Sequence, residues 1–71
     1  MILNTATLNT NRGEVVADLS YTDKSGMFVT ALDGAYRKGT RIAQSHRGEQ
    51  GLIDELVAKG VSRESATEFV K

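Results

Sequence analysis

Two pairs of residues bring together side chains that could do chemistry, and both include the only histidine. Ser45 and His46 could act as a nucleophile and its base, and His46 with Glu49 could supply half of a metal site. Adjacent side chains point apart in a strand and lie about 100° apart around a helix, so Ser45 and His46 do not face each other. The sequence has no second histidine and no cysteine to complete a metal-ligand set. We therefore predict no catalytic residues, no metal site and no cofactor, and a protein that is not an enzyme.

A second chemical feature is the segment 34–48, called here the basic arm, because no acidic residue lies between Asp33 and Glu49. The candidate residues for binding an anion or a partner in this arm are Tyr36, Arg37, Lys38, Arg41, His46 and Arg47. A helix that begins near Gly48 would add its free N–H groups and its positive dipole end to these charges. Phosphate, carboxylate and the nucleic-acid backbone are the anions that such a set attracts. The alternative is a solvated basic loop that balances nearby acids such as Glu55.

The strands that must position these residues centre on a predicted hairpin with its tip at residues 23–26. With Gly26 in a left-handed turn position, the predicted register pairs Tyr21 with Val29 and Leu19 with Ala31. Alternation then separates two faces of the sheet. The apolar face holds Val15, Ala17, Leu19, Tyr21, Met27, Val29 and Ala31, and the mixed face holds Val16, Asp18, Ser20, Thr22, Phe28, Thr30 and Leu32.

A first strand is predicted at residues 2–10, followed by a turn at residues 11–13. In the predicted register Leu8 faces Ala17, Ala6 faces Leu19, and Ile2 joins the same apolar face. The other strands are predicted at 14–22 and 27–33, and residues 40–44 are interpreted as either a short fourth strand or an irregular arm. The result is an antiparallel meander of three to four strands.

From residue 49 the apolar spacing changes to that of a helix. Helices are predicted at 49–59 and 62–70, with Gly60 in the left-handed position after the first helix and Ser62 capping the second. Val61 then contacts Leu56 in a Schellman motif. The segment LVAKGVSRESA resembles the helical corners of ubiquitin-associated domains, and GEQG at 48–51 matches the GxxG spacing of the phosphate-clamping loop of KH domains. Neither similarity covers the whole chain, and Glu49 would repel a phosphate.

These elements predict an α+β fold, a small antiparallel meander with a C-terminal helical hairpin packed on one face, and a single domain over residues 1–71. The chain has 71 residues, of which 39% are hydrophobic and 6% aromatic, so its core is thin. Without cysteine it has no disulfide, and self-association or binding of a partner is the remaining means of stabilisation. We expect a homo-oligomer, a dimer, with Val16, Phe28 and Leu32 on the mixed face as the candidate interface.

Lys and Arg together number 9, as do Asp and Glu, so bulk charge does not attract nucleic acid or an anionic membrane. No apolar run approaches the roughly 20 residues of a membrane span, and no basic region with an apolar run opens the chain, so we expect a cytoplasmic protein. The predicted function is a small protein-binding module that occupies a partner surface. It resembles in class the inhibitors and host-takeover proteins of phages and mobile elements, such as anti-CRISPR proteins. The alternative is a protein that binds nucleic acid or a phosphorylated ligand through the basic arm.

Overall fold

The structure is a computed structural model that describes the backbone of residues 1–71 and the side chains of all of them except Ser45. The expectation that Ser45 and His46 do not face each other therefore lies outside the described side chains. The elements are β1 (Ile2–Thr10), β2 (Gly13–Thr22), β3 (Gly26–Gly34), β4 (Arg41–His46), α1 (Glu49–Ala58) and α2 (Arg63–Val70). The strands form one antiparallel sheet in the order β1-β2-β3-β4. The predicted α+β fold is confirmed.

The core lies between one face of the sheet and the two helices. The sheet contributes the buried side chains Leu8, Val15, Ala17, Leu19, Val29, Ala31, Ile42 and Ala43. The helices and the corner between them contribute Leu52, Ile53, Leu56, Val61, Ala66, Phe69 and Val70. Apolar residues that recur every three or four positions form one stripe on each helix, and burial of these stripes holds the helices on the sheet. We call the opposite side of the sheet, which the helices leave uncovered, the outer face.

The register of both hairpins differs by two residues from the prediction. Tyr21 pairs with Met27 rather than Val29, and Leu8 pairs with Val15 rather than Ala17. The reason is that the turn glycines are paired residues of the strands and not part of the turn. Gly26, with φ +76, pairs with Thr22. Because side chains alternate with a period of two, a shift of two residues does not by itself move a residue to the other face of the sheet.

The prediction for Ile2 is wrong, since its side chain is 60% exposed and does not join the core. The pairing of β1 with β2 is irregular between Ile2 and Asn4. Ile2 consequently pairs with Ser20, whereas Asn4 pairs with Leu19. A bulge of this kind reverses the alternation of the strand beyond it.

The corner between the helices has the predicted caps. The Val61 N–H donates to the Leu56 carbonyl and the Gly60 N–H to the Val57 carbonyl, each at 3.0 Å, which is the Schellman pattern. The Ser62 hydroxyl accepts from the Ser65 N–H at 3.2 Å as the N-cap of α2. The corner also bonds to β1, because the Ser62 N–H donates to the Asn9 carbonyl at 2.8 Å. These bonds fix α1 and α2 against the sheet.

Candidate protein-binding surface

The outer face of the sheet combines apolar and polar side chains in an ordered arrangement. Antiparallel pairing places Thr5, Asp18, Thr30 and Arg41 in one row across the strands. The Thr5 hydroxyl donates to Asp18 Oδ1 at 2.5 Å. The predicted interface residues Val16, Phe28 and Leu32 are half-buried although no helix covers them. Neighbouring side chains on the same face provide this partial shielding.

Phe28 and Arg41 form the most specific contact on the outer face. The guanidinium carbon of Arg41 lies 4.1 Å from the centroid of the Phe28 ring. Pairing of Thr30 with Arg41 brings β4 next to this part of β3, so the long arginine side chain reaches the ring. A guanidinium over an aromatic face contributes about 0.5–1 kcal/mol at an exposed site. The stack covers one side of an apolar ring and keeps the arginine N–H groups available to a partner.

Sequence reasoning selected both residues but did not connect them. It assigned Phe28 to the sheet and Arg41 to the basic arm, because the predicted β4 had no defined register. Alternation along β4, anchored on buried Ile42, would have placed Arg41 on the outer face beside β3.

His46 is held by the helical layer. Its Nε2 lies 2.5 Å from Glu55 Oε1, and the same carboxylate oxygen accepts the Gln44 N–H at 3.1 Å. The Lys59 ammonium lies 3.6 Å from Glu55 Oε2 and donates to the Ile42 carbonyl at 3.2 Å. Glu55 and Lys59 therefore connect α1 to β4, and His46 is part of that connection.

Several opposing effects act on the pKa of Glu55. Burial alone would raise this pKa, but hydrogen bonds with His46 and from the Gln44 N–H, together with electrostatic attraction to His46 and Lys59, lower it below its ordinary value. The carboxylate is therefore ionised at neutral pH and binds the groups around it as an anion.

The remaining residues of the basic arm lie at different places. Arg47 Nη2 donates to the Lys24 carbonyl at 3.0 Å and holds the tip of the β2–β3 hairpin. The Tyr36 hydroxyl donates to the Lys59 carbonyl at 2.7 Å, and the Arg12 guanidinium lies 5.4 Å from the centroid of its ring. Arg37 and Lys38 are exposed in the connection between β3 and β4.

The length of β4 separates the two ends of the basic arm. Tyr36, Arg37 and Lys38 precede this strand, and His46 and Arg47 lie at its other end. A strand rises about 3.3 Å per residue, which puts the two ends roughly 15–20 Å apart. One small anion therefore cannot contact the whole predicted set.

Among the side chains that the structure describes, no group of three or more His, Cys, Asp or Glu residues is placed to hold a metal ion. None of the described helices combines the length and apolarity needed to cross a membrane. Comparisons with protein-family models, curated proteins and solved structures found no match for this chain. The inference about function consequently depends on the surfaces described above.

Proposed function

We propose that this protein is a small, non-enzymatic protein-binding module that occupies a partner's surface with the outer face of its sheet. The observation that supports the proposal most directly is the stack of Arg41 on Phe28. Aromatic residues and arginine are enriched at the centres of protein interfaces, where a few residues supply most of the binding free energy. Val16 and Leu32, the other predicted interface residues, add half-buried apolar area to the same face.

The chemistry of the outer face limits the kind of partner. The ring of Phe28 and the side chains of Val16 and Leu32 favour an apolar patch. The Arg41 guanidinium favours a carboxylate next to that patch, since its planar fork can donate two parallel hydrogen bonds. The partner surface that we propose is therefore apolar at its centre and acidic at one side.

Occupation of a partner surface is the mode of action of small inhibitors. We propose that the protein is an inhibitor or a host-takeover protein of the type that phages and mobile elements encode, the class that includes anti-CRISPR proteins. The size of the chain and the Phe28–Arg41 stack support this assignment, and the basic arm offers a second mode of binding. In that alternative, Arg37 and Lys38 would contact nucleic acid or a phosphorylated ligand.

The test is affinity capture from the native cell lysate with four forms of the protein: wild type, Phe28→Asp, Arg41→Glu and Arg37→Glu. Wild type should retain a protein partner after nuclease treatment, Phe28→Asp and Arg41→Glu should lose it, and Arg37→Glu should keep it. Truncation at the centre of an interface costs about 2 kcal/mol or more, which is roughly a 30-fold loss of affinity. Circular dichroism of each variant controls for folding.

The alternative predicts a different pattern. Capture through the basic arm would be lost in Arg37→Glu, would survive in Phe28→Asp, and would weaken steeply as salt rises if nucleic acid is the ligand. That result would contradict a role of the outer face in binding. Arg63→Glu, a charge reversal at an exposed position of α2, is the matched control and should bind as wild type does.

A further inference from the structure

β1 is an edge strand with free backbone groups along part of its length. The Asn9 N–H donates to the Ser65 hydroxyl at 3.2 Å and the Asn9 carbonyl accepts the Ser62 N–H, so the backbone of Asn9 points away from β2. Pairing with β2 is regular from Asn4 to Thr10, so Thr5 and Thr7 point the same way. Within the described part of the chain, the N–H and C=O groups of Thr5 and Thr7 have no hydrogen-bond partner outside β1 and β2.

The two edges of the sheet differ in how they are protected. β4 carries Arg41 and His46, its pairing with β3 is irregular, and Glu55 binds the Gln44 N–H. β1 carries no charged residue and no proline from Ile2 to Thr10. Charges, prolines and irregular pairing are among the means by which sheet edges avoid pairing with other chains. The Thr5–Thr7 part of β1 lacks all of them.

The most exposed large hydrophobic residues of the described chain lie at the start of the same strand. Met1 is 77% exposed, Ile2 60% and Leu3 47%. A cleft of about 230 Å³ lies between β1 and α2, with Ala6 and Phe69 among its lining residues. Glu68 is the one charged residue lining this cleft, and solvent salt screens an exposed charge of this kind.

We propose that β1 pairs antiparallel with β1 of a second copy of this chain, about a two-fold axis at Ala6. Thr5 of each copy then lies opposite Thr7 of the other, and the free N–H and C=O groups of both residues find partners. Ala6 faces Ala6 of the second copy, and its small side chain permits the close approach of a non-hydrogen-bonded pair.

Two features favour a second copy over a foreign peptide as the occupant. Identical uncharged strands pair without like-charge repulsion, and each free residue meets an equivalent free residue. The two sheets become one continuous sheet with both outer faces on the same side. This inference does not depend on the proposed function of the outer face.

The test uses the absence of cysteine from the sequence. In a non-hydrogen-bonded antiparallel pair the Cα atoms lie about 4.5 Å apart, within the range that a disulfide spans. Mild oxidation of Ala6→Cys should therefore give a covalent dimer. The matched control Ala58→Cys, at an exposed position of α1, should remain largely monomeric.

A second measurement is sedimentation equilibrium of wild type, Thr7→Lys and Phe28→Asp. Wild type should dimerise, Thr7→Lys should raise the dimer Kd at least tenfold by placing two like charges on the paired edges, and Phe28→Asp should leave it unchanged. A wild-type chain that stays monomeric at high concentration would overturn the proposal. So would a dimer that Phe28→Asp dissociates and Thr7→Lys does not.

Discussion

Glu55 illustrates how one side chain can attach a helix to the edge of a sheet. Its carboxylate accepts a backbone N–H of β4 and contacts both His46 and Lys59. A short edge strand such as β4 has few backbone hydrogen bonds to the rest of the sheet. The Glu55 carboxylate adds a charge-assisted hydrogen bond by accepting a free N–H of this strand. Because the pKa of Glu55 is lowered, folding favours the ionised form of this residue.

This predicts a pH-dependent effect of Glu55→Gln on stability. A carboxylate with a lowered folded pKa contributes stability above its ordinary pKa of about 4.3, and that contribution is lost as pH falls through the folded value. Glu55→Gln should therefore destabilise the protein by on the order of 1 kcal/mol at pH 6, and the difference from wild type should shrink below pH 4. Urea unfolding between pH 3 and 6 measures this, with Glu14→Gln as an exposed control. Parallel profiles for wild type and Glu55→Gln would refute it.

The contacts of Glu55 could not be predicted from the sequence. The basic charge of residues 34–48 was visible, and so was the possibility that Glu55 balances it. The specific contacts depend on how α1 crosses β4, which no local pattern encodes. His46 and Arg47 therefore entered the predicted site for their charge, whereas the structure places them in contacts with Glu55 and with the hairpin tip.

At the scale of elements, alternation and helical spacing predicted most of the buried residues. They could not predict which residues pair across each hairpin. That register depends on whether the turn glycine pairs with the opposite strand or lies in the turn, and a shift of two residues leaves side chains on the same face of the sheet. Helix ends were more predictable, since the Gly60 and Ser62 caps satisfy backbone groups through local bonds.

Substitution of two glycines should separate backbone strain from steric conflict. Gly34 and Gly60 both have φ +105, but a Cβ at Gly34 would meet the backbone of Glu14, whereas at Gly60 it would meet the side chain of Asn11. Gly60→Ala should cost about 1 kcal/mol of unfolding free energy, because the exposed Asn11 side chain can move aside. Gly34→Ala should cost more, because backbone atoms cannot yield in the same way.

Urea unfolding of both variants compares these costs directly. A Gly60→Ala variant as stable as wild type would contradict the strained left-handed cap. Equal losses for Gly34→Ala and Gly60→Ala would contradict the steric part of the explanation.

At the scale of the whole molecule, two helices on one side of a sheet give a single thin core. The principal extents of the chain are 31 × 21 × 16 Å, so the shortest dimension holds only these two layers. A domain of this size has a stability of roughly 5 kcal/mol. The sequence predicted the α+β architecture but not the identity of a partner. An uncovered sheet face indicates the chemistry of the surface that it binds and does not identify the protein that carries that surface.

Leu52→Ala should consequently remove most of the stability. Leu52 is completely buried, and replacing such a leucine by alanine costs about 3–5 kcal/mol through lost burial and the cavity left behind. We expect the Tm to fall by more than about 10 °C, measured by circular dichroism. Leu3→Ala, at a residue that is 47% exposed, should shift the Tm by far less at concentrations where the chain is monomeric. Similar shifts for the two variants would contradict the assignment of the core.

The bonds between β1 and the helical corner have a consequence for the order in which the chain folds. Asn9 and Asn11 bond to Ser62 and Gly60, so these contacts close a loop that spans most of the chain, whereas each hairpin joins consecutive strands. Loop-closure entropy favours the local hairpins as the first structure and the docking of the corner as a late event. In stopped-flow kinetics, Gly60→Ala should accelerate unfolding and leave the folding rate nearly unchanged, whereas Gly26→Ala at the hairpin tip should slow folding.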